Sequence, residues 1–148
     1  MVITQQEADY LMNLEKRFEK NDTIVLGDTN LKYQHPLISI DGRERFYADI
    51  WSKGLIVRKR YTLQERGRSV IVLVRLDIGG SPHTNPDGEM VPCPHMHIYR
   101  EGFHDKWAFP VNGSDFTFRN LDDIVFTFED FARFCNITNL PEIQRSLV

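Results

Sequence analysis

The feature that most constrains the fold is a change in hydrophobic periodicity, which occurs twice along the chain. Apolar residues recur at helical spacing near the N-terminus, alternate with polar residues through the segment 23–111, and return to helical spacing near the C-terminus. Alternation is typical of strands that bury one face. The pattern predicts an α+β single domain with an N-terminal helix, an antiparallel meander sheet of about five to seven strands, and a C-terminal helix.

The N-terminal segment carries the signature of a helix start. Thr4 is the expected N-cap, and Glu7 follows three residues later, as in a capping box. The apolar residues that follow at helical spacing are Ala8, Leu11, Leu14 and Phe18. We therefore expect a helix from about Gln5 to Lys20.

Turn signals divide the middle of the chain into strands. The pair Asp41–Gly42 favours a tight hairpin turn, and further breaks are expected at Gly54 and Gly67. The segment 69–78 is the most apolar strand and is expected to be interior. Further strands are predicted in "PHMHIYRE" and "KWAFPV".

Helical periodicity near the C-terminus predicts the second helix, with Asn120 as its cap. Pro141 is expected to begin a short final turn or helix. The apolar stripe of this second helix comprises Leu121, Ile124, Val125, Phe128, Phe131, Ala132 and Cys135.

Length and composition predict one globular domain, residues 1–148, with 41% hydrophobic and 26% charged residues. The N-terminus lacks the pattern of a signal peptide, and no apolar run approaches the roughly 18 residues of a membrane span. Cys93 and Cys135 do not imply a disulfide. We therefore expect a cytoplasmic protein that does not bind membranes.

The charge is unevenly distributed, although the net charge is only -3. The segment 43–75 holds nine basic and three acidic residues, a net +6, whereas the remainder holds nine basic and 18 acidic residues, a net -9. Such asymmetry favours an anionic partner, nucleic acid included. The alternative is that these cations cover solvent-facing strands and edges.

Four of the five histidines lie between His83 and Trp107. They follow or lie within a segment, 79–94, that is rich in proline and glycine and is therefore predicted to be a loop without helix or strand. Long loops in small domains are commonly functional. We expect this one to form the wall of a site.

Directly after the loop, His95, His97 and Tyr99 occupy alternate positions and would leave a strand on the same face. On a neighbouring antiparallel strand, Arg75 or Asp77 could face them. His83 could fold back from the loop to join them.

Three functions are compatible with this constellation. The first is an enzyme that acts on a phosphodiester such as RNA, because histidine is a suitable acid or base near neutral pH and cations stabilise the transition state. Its candidate catalytic residues are His95, His97, Tyr99 and Arg100. Its candidate binding residues are His83, Asp77, Arg75, Arg58, Lys59, Arg60, Lys106 and Trp107.

The second function is a divalent-metal site, structural or hydrolytic, built on His95 and His97, with His83 as the first candidate for a third ligand. Other candidate third ligands are Asp77, Glu101 and His104. A purely structural alternative also exists, in which the imidazoles hold the loop by hydrogen bonds to its backbone.

The third function is a protein-binding or regulatory module that uses Tyr99, Phe103 and Trp107 as interface anchors. Exposure of Phe103 and Trp107 would support it. The sequence leaves open whether the protein is an enzyme, and it does not determine the oligomeric state.

Three sequence runs resemble those of a family of small bacterial and prophage-borne proteins of unknown function. The runs are "HTNPDG" from His83, "PHMHIYREG" from Pro94 and "DKWA" from Asp105. The resemblance implies a bacterial or phage cytoplasm and supplies no activity or cofactor. The architecture also resembles that of small α+β endoribonucleases of toxin systems, without a motif shared residue by residue.

Overall fold

The computed structural model describes residues 2–27, 30–55, 58–111 and 116–146, and at residues 54, 55, 58 and 59 only the backbone. Within this part of the chain the helices are α1 (Gln5–Asn13) and α2 (Ile124–Phe134). The strands are β1 (Lys16–Phe18), β2 (Ile24–Leu26), β3 (Leu31–Ser39), β4 (Arg45–Leu55), β5 (Arg58–Gly67), β6 (Ile71–Ile78), β7 (His83–Thr84), β8 (Met90–Val91), β9 (His95–Ile98), β10 (Ala108–Pro110) and β11 (Ile143–Arg145).

Seven strands form an antiparallel sheet in the order β1-β3-β4-β5-β6-β9-β10. The hairpin between β3 and β4 turns at Asp41–Gly42, where Gly42 has a φ of 77°, a value that glycine adopts without steric cost. Strand β6 lies inside the sheet between β5 and β9, as its apolar sequence predicted. The α+β fold class is thereby confirmed.

One face of this sheet packs into the hydrophobic core. Leu76 and Met96 are fully buried and belong to the same core cluster as Leu11 of α1 and Phe128 of α2. Because side chains alternate along a strand, the neighbours of these residues on β6 and β9 point to the opposite face. That opposite face carries the polar residues described below.

The first helix is shorter than predicted, although its capping box between Thr4 and Glu7 is confirmed. It ends at Asn13, and Phe18, which we assigned to the helical stripe, is on β1. Lys16 explains the difference. Its ammonium group is fully buried and donates to Met12 O at 2.9 Å and Cys135 O at 2.8 Å, so it satisfies carbonyl groups at the C-terminal ends of both helices.

The second helix also begins later than predicted. Asp123 is its N-cap and accepts from the N–H groups of Val125 and Phe126, whereas Asn120 accepts from the N–H of Asp122 in the preceding turn. The final segment is a strand, not the turn or helix expected after Pro141: β11 pairs in parallel with β2. No helix in the described ranges is long and apolar enough to cross a membrane.

Candidate functional site

Strand β9 places His95 and His97 on the polar face of the sheet, opposite the buried Met96. In the antiparallel register with β6, His95 lies across from Asp77, and His97 lies across from Arg75. The predicted convergence of the two histidines with these β6 residues is therefore observed. Directly opposed residues on neighbouring strands bring their side chains into contact.

Three side chains meet at one point on this face. The Oδ2 atom of Asp77 lies 3.3 Å from His95 Nε2 and 3.2 Å from His97 Nε2. Their ligand atoms all lie within 4.8 Å of one another. We call Asp77, His95 and His97 the trio. A carboxylate oxygen and two imidazole nitrogens are a donor set that zinc and similar divalent ions bind.

Backbone carbonyl groups orient both rings of the trio. His97 Nδ1 lies 2.8 Å from Asp105 O, and His95 Nδ1 lies 3.3 Å from Pro92 O. Since a carbonyl oxygen only accepts, each Nδ1 must carry the proton, and in a neutral ring Nε2 then carries a lone pair. The contact of His95 with Pro92 O fits the structural alternative, in which an imidazole holds the loop 79–94, whereas Asp105 lies outside that loop. Both contacts direct the Nε2 lone pairs toward Asp77.

The Asp77 carboxylate is held by a residue that the sequence patterns did not indicate. Thr62 on β5 donates its hydroxyl proton to Asp77 Oδ1 at 2.9 Å, which leaves Oδ2 for the two imidazoles. Burial would raise the pKa of Asp77, but the charge of Arg75 and the hydrogen bond from the Thr62 hydroxyl lower this pKa below its usual range. Asp77 is therefore an anion at the centre of the site.

Arg75 links the trio to a second carboxylate. Its Nη2 lies 3.1 Å from His97 Nε2, its Nε lies 3.3 Å from Asp77 Oδ2, and its Nη1 donates to Asp105 Oδ2 at 2.9 Å. Sequence reasoning missed Asp105, because only the tertiary structure brings the turn after β9 back over β6. The guanidinium is thus fixed beside the trio by two carboxylates.

The trio lies at one side of a pocket of about 400 Å³. The side chains of His95 and His97 are only 3% and 1% exposed, whereas that of Asp77 is 22% exposed. Solvent therefore reaches the trio at the carboxylate rather than along the rings. Arg60 and Trp51 contribute to the outer part of the pocket, and both are exposed.

The segment 79–94 forms another wall of this pocket, as expected, but it is not devoid of strand. Strands β7 and β8 pair as a small hairpin around the turn 85–88. The buried Asn85 anchors the hairpin to β10, because its amide donates to Ala108 O at 3.0 Å and accepts from Ala108 N at 2.8 Å. An asparagine paired with a backbone in this way supplies hydrogen bonds that our loop prediction did not consider.

The hairpin brings His83 to the trio. Its ring centroid lies 4.6 Å from that of His97 and 6.0 Å from that of His95. His83 Nε2 donates to Lys106 O at 2.6 Å, so the unprotonated nitrogen of the neutral ring is Nδ1. His83 therefore lines the pocket as predicted, next to the trio rather than within it.

Tyr99 is not part of this pocket, although we assigned it to the same face as the histidines. Strand β9 ends at Ile98, and the Tyr99 side chain is buried in the core. Its hydroxyl donates to Ile3 O at 2.8 Å and accepts from Ile3 N at 3.3 Å. Tyr99 therefore anchors the N-terminus to the sheet, which argues against the catalytic role we proposed for it.

Arg100, another candidate catalytic residue, also lies elsewhere. Its guanidinium stacks 4.6 Å from the centroid of the Trp107 ring, and Phe103 packs edge-on against Trp107. Lys106 is exposed and meets the pocket through its backbone carbonyl, which accepts from His83. The side chains of Arg58 and Lys59 are outside the described part of the structure.

Several cations of the basic segment 43–75 take part in ion pairs. Arg66 binds Asp49 with both Nε and Nη2, at 2.6 and 2.9 Å, and Arg68 contacts Glu7 and Glu44. The excess positive charge of the segment is thus partly neutralised by acidic residues inside and outside it. This finding favours, for these arginines, the structural explanation of the charge asymmetry.

Comparison with known proteins gave one positive result. No curated protein and no solved structure is significantly similar to the chain. The sequence model of a family of unknown function, DUF6978, matches residues 3–137. This range includes both helices, the seven-stranded sheet and every residue of the trio. The chain therefore belongs to the DUF6978 family of unknown function.

Proposed function

We propose that Asp77, His95 and His97 bind a divalent metal ion, and that this centre hydrolyses an anionic substrate of the phosphodiester class. The observation that carries the proposal is the convergence of one carboxylate oxygen and two lone-pair nitrogens at separations of 3.2 and 3.3 Å. Zinc lies about 2.0–2.1 Å from such ligands, and tetrahedral geometry then spaces the ligand atoms about 3.3–3.4 Å apart. The trio has this spacing along both edges that involve Asp77.

A cation between these atoms also accounts for their electrostatics. With both Nδ1 atoms protonated, the Nε2 lone pairs of His95 and His97 face the negative charge of Asp77. The alternative is that both rings are protonated, which would place two cations with almost no solvent exposure beside one carboxylate. The desolvation of such buried charges is costly. A metal ion satisfies all three atoms at once.

Supporting hydrogen bonds around the trio fit the same proposal. Metal-binding histidines usually donate their second N–H to a carbonyl or carboxylate, and ligating carboxylates are themselves hydrogen-bonded. Pro92 O, Asp105 O and the Thr62 hydroxyl supply these bonds here. The site thus has both the ligand atoms and the groups that orient them.

Arg75 gives the site a role in anion binding. Its Nη2 donates to His97 Nε2, the lone pair that a metal ion would take. Metal binding would release this N–H, while Asp105 would keep the guanidinium in place through Nη1. The released donor would then be available to a phosphate oxygen beside the ion, and Arg60 is a second cation of the same pocket.

The open side of the trio suits hydrolysis. Three protein ligands with a free position facing a pocket are typical of catalytic zinc sites, where the ion polarises a substrate oxygen and acidifies a coordinated water molecule. In hydrolysis the water oxygen bonds to phosphorus, and the bond from phosphorus to the leaving oxygen breaks. One water proton goes to a pocket base, for which His83 Nδ1 is the candidate, and the leaving oxygen takes up a proton from solvent.

Metal content and hydrolysis test the proposal together. Purified protein is analysed for metals by mass spectrometry, then stripped with a chelator and titrated with Zn²⁺ and Mn²⁺. We expect one ion per chain in the wild type and loss of binding in Asp77→Asn and His97→Gln. Hydrolysis of bis(p-nitrophenyl) phosphate and of a short RNA should require the same residues.

The matched control is His104→Gln. His104 is exposed and lies at an isolated bridge after β9, so its substitution should leave metal binding and hydrolysis unchanged. Equal metal binding by the wild type and His97→Gln would overturn the metal site. Normal metal binding without hydrolysis of either substrate would retain the site and overturn the proposed reaction.

A protein-binding role is the second candidate function. Phe103 is 39% exposed and Trp107 is half-buried, and Arg100 stacks on the Trp107 ring. Aromatic residues with arginine are common interface anchors. Co-purification of a partner that is lost in Phe103→Ser, with the metal site intact, would support this function.

We also propose a cytoplasmic location, as expected from the sequence. Both cysteines are free thiols. Cys135 is buried in the core, and Cys93 donates its thiol proton to Asp77 O at 3.2 Å. Free thiols in these settings fit a reducing compartment. Thiol labelling of protein isolated from its native cells would test this.

A further inference from the structure

The polar face of the sheet extends beyond the trio as a row of four side chains. The registers place Trp51 of β4 opposite Thr62 of β5, Thr62 opposite Asp77 of β6, and Asp77 opposite His95 of β9. Adjacent strands are about 4.8 Å apart, so the Trp51 and Asp77 backbones are about 10 Å apart. The row thus connects an indole to the proposed metal site across one intervening strand.

Trp51 is not a core residue. Its neighbour Ile50 is buried, whereas the Trp51 side chain lies on the other face and is 41% exposed. Among the residues that the structure describes, Trp51 is not a member of the core cluster, although its ring is large and apolar and the pocket is otherwise rich in polar groups. It belongs to the same pocket as Thr62, Asp77 and His95.

Two cations accompany the indole in that pocket. Arg75 lies beside the trio. The Arg60 guanidinium lies against the loop at Gly80: a Cβ atom added to this glycine would lie 3.8 Å from both Arg60 Nε and Nη2. An exposed aromatic ring next to arginines is the arrangement that binds single-stranded nucleic acids, with a base on the ring and phosphates at the cations. The pocket volume, about 400 Å³, suits a ligand of nucleotide size.

We propose that the pocket binds a single-stranded oligonucleotide, with one nucleobase stacked on Trp51 and the adjoining phosphate between Arg60, Arg75 and the trio. The assignment rests on the proposed function for the role of the trio. It names the substrate class and makes Trp51 a specificity-determining residue. A base on Trp51 would direct its phosphate toward Asp77, because the row runs from the indole to the carboxylate.

Tryptophan fluorescence tests the stacking directly. The chain has two tryptophans, so Trp107→Phe leaves Trp51 as the sole indole. This variant is titrated with U6 and dT6 oligonucleotides and with an abasic hexamer that has the same phosphates. Chelator is present throughout to prevent cleavage. We expect U6 or dT6 to quench the Trp51 emission and the abasic hexamer to leave it unchanged. Stronger quenching by U6 would indicate that the pocket prefers RNA, and stronger quenching by dT6 that it prefers DNA.

Affinity is measured separately by the anisotropy of fluorescein-labelled U6 and dT6. Trp51→Leu should weaken binding by about tenfold or more, as expected for loss of one stacked base. The matched control is Tyr47→Leu, on the same strand and the same face but over Arg66, outside the pocket. It should change the affinity by less than about twofold. Circular dichroism of both variants verifies that they are folded.

Equal affinity of Trp51→Leu and the wild type, or equal quenching by the abasic hexamer, would overturn the stacking assignment. Zn²⁺ titration of the same proteins keeps this failure distinct from failure of the proposed function. Trp51→Leu should bind Zn²⁺ like the wild type. Normal Zn²⁺ binding without quenching overturns the oligonucleotide proposal alone, whereas quenching by U6 or dT6 without Zn²⁺ binding in the wild type supports stacking and overturns the metal site.

Discussion

The Thr62 hydroxyl donates to Asp77 Oδ1 at 2.9 Å and so leaves the other carboxylate oxygen for His95 and His97. The two residues are opposed in the β5–β6 register, which makes this contact a consequence of strand pairing. Thr62 contacts the proposed metal ion only through Asp77. It is therefore a positioning residue, and its effect can be separated from that of a ligand.

The first prediction concerns this contact. Thr62→Val keeps the shape of the side chain but removes the hydroxyl, so it should weaken Zn²⁺ binding by about 10–100-fold, the usual effect of losing a group that orients a ligand. Competition with a chromophoric chelator measures this affinity. Thr62→Ser should restore it, and equal Zn²⁺ affinities for Thr62→Val and the wild type would contradict the positioning role.

The second prediction concerns the buried pair of Lys16 and Glu65, whose charged atoms are 3.6 Å apart and fully buried. Burial raises the pKa of Glu65 to about 7, an effect that the charge of Lys16 partly offsets. The folded protein therefore keeps the Glu65 proton at pH values where the unfolded chain releases it. Between about pH 4.5 and 7 the folded state holds the Glu65 proton more tightly than the unfolded chain does, so the contribution of Glu65 to the free energy of unfolding should fall as the pH rises.

Urea unfolding at several pH values measures this slope. The total decrease in the free energy of unfolding due to Glu65 is on the order of 3 kcal/mol, and it should be complete just above pH 7. In Glu65→Gln this contribution should disappear. Lys16→Met should be more destabilising at pH 8 than at pH 5, by up to about 1.4 kcal/mol, because without the ammonium group the buried Glu65 must take up a proton at pH 8. An equal loss of stability in Lys16→Met at both pH values would contradict the assignment of this pH dependence to Glu65.

The pair also borders a buried thiol. Burial raises the pKa of Cys135 well above its usual range, and the negative charge of Glu65 raises it further. Cys135 therefore stays neutral throughout the pH range of this experiment. The Cys135 thiol also lowers the pKa of Glu65, so Cys135→Ala should move the fall in stability to a higher pH.

The third prediction concerns Tyr99, which we first considered catalytic. Tyr99→Phe removes two hydrogen bonds to the Ile3 backbone and leaves buried polar groups unpaired, so it should lower the free energy of unfolding by about 1–3 kcal/mol. Zn²⁺ affinity and hydrolysis should not change. Hydrogen exchange should become faster at the start of α1. A large loss of hydrolysis with unchanged stability would instead restore the catalytic assignment.

The fourth prediction concerns the hairpin that holds His83. Asn85→Ala removes both side-chain hydrogen bonds to Ala108 and should release the hairpin from β10. We expect faster hydrogen exchange in 83–91 and weaker hydrolysis, with Zn²⁺ affinity kept within about threefold because His83 is outside the trio. The control is Asp87→Asn at the exposed turn. Unchanged hydrolysis in Asn85→Ala would contradict a catalytic role for His83.

The sequence by itself determined the fold class, because hydrophobic periodicity follows from local geometry. Alternation along 95–98 predicted that His95 and His97 share a face, and the turn at Gly42 and the capping box of Thr4 depend only on neighbouring residues. The histidine-rich segment was also recognisable as the location of a candidate site, since unusual local composition is visible without any knowledge of the fold.

Only the tertiary structure decided which residues complete the site and where the elements end. Thr62, Trp51 and Asp105 could not be assigned to the candidate site, because strand order and register depend on pairings between distant residues. Likewise, Tyr99 follows the alternation of β9 in sequence, but the strand ends at Ile98 and the Tyr99 side chain is buried in the core. Lys16 ends α1 early because burial against both helix ends outweighs local helical propensity. Local patterns specify which face a residue occupies, whereas long-range packing specifies what it meets there.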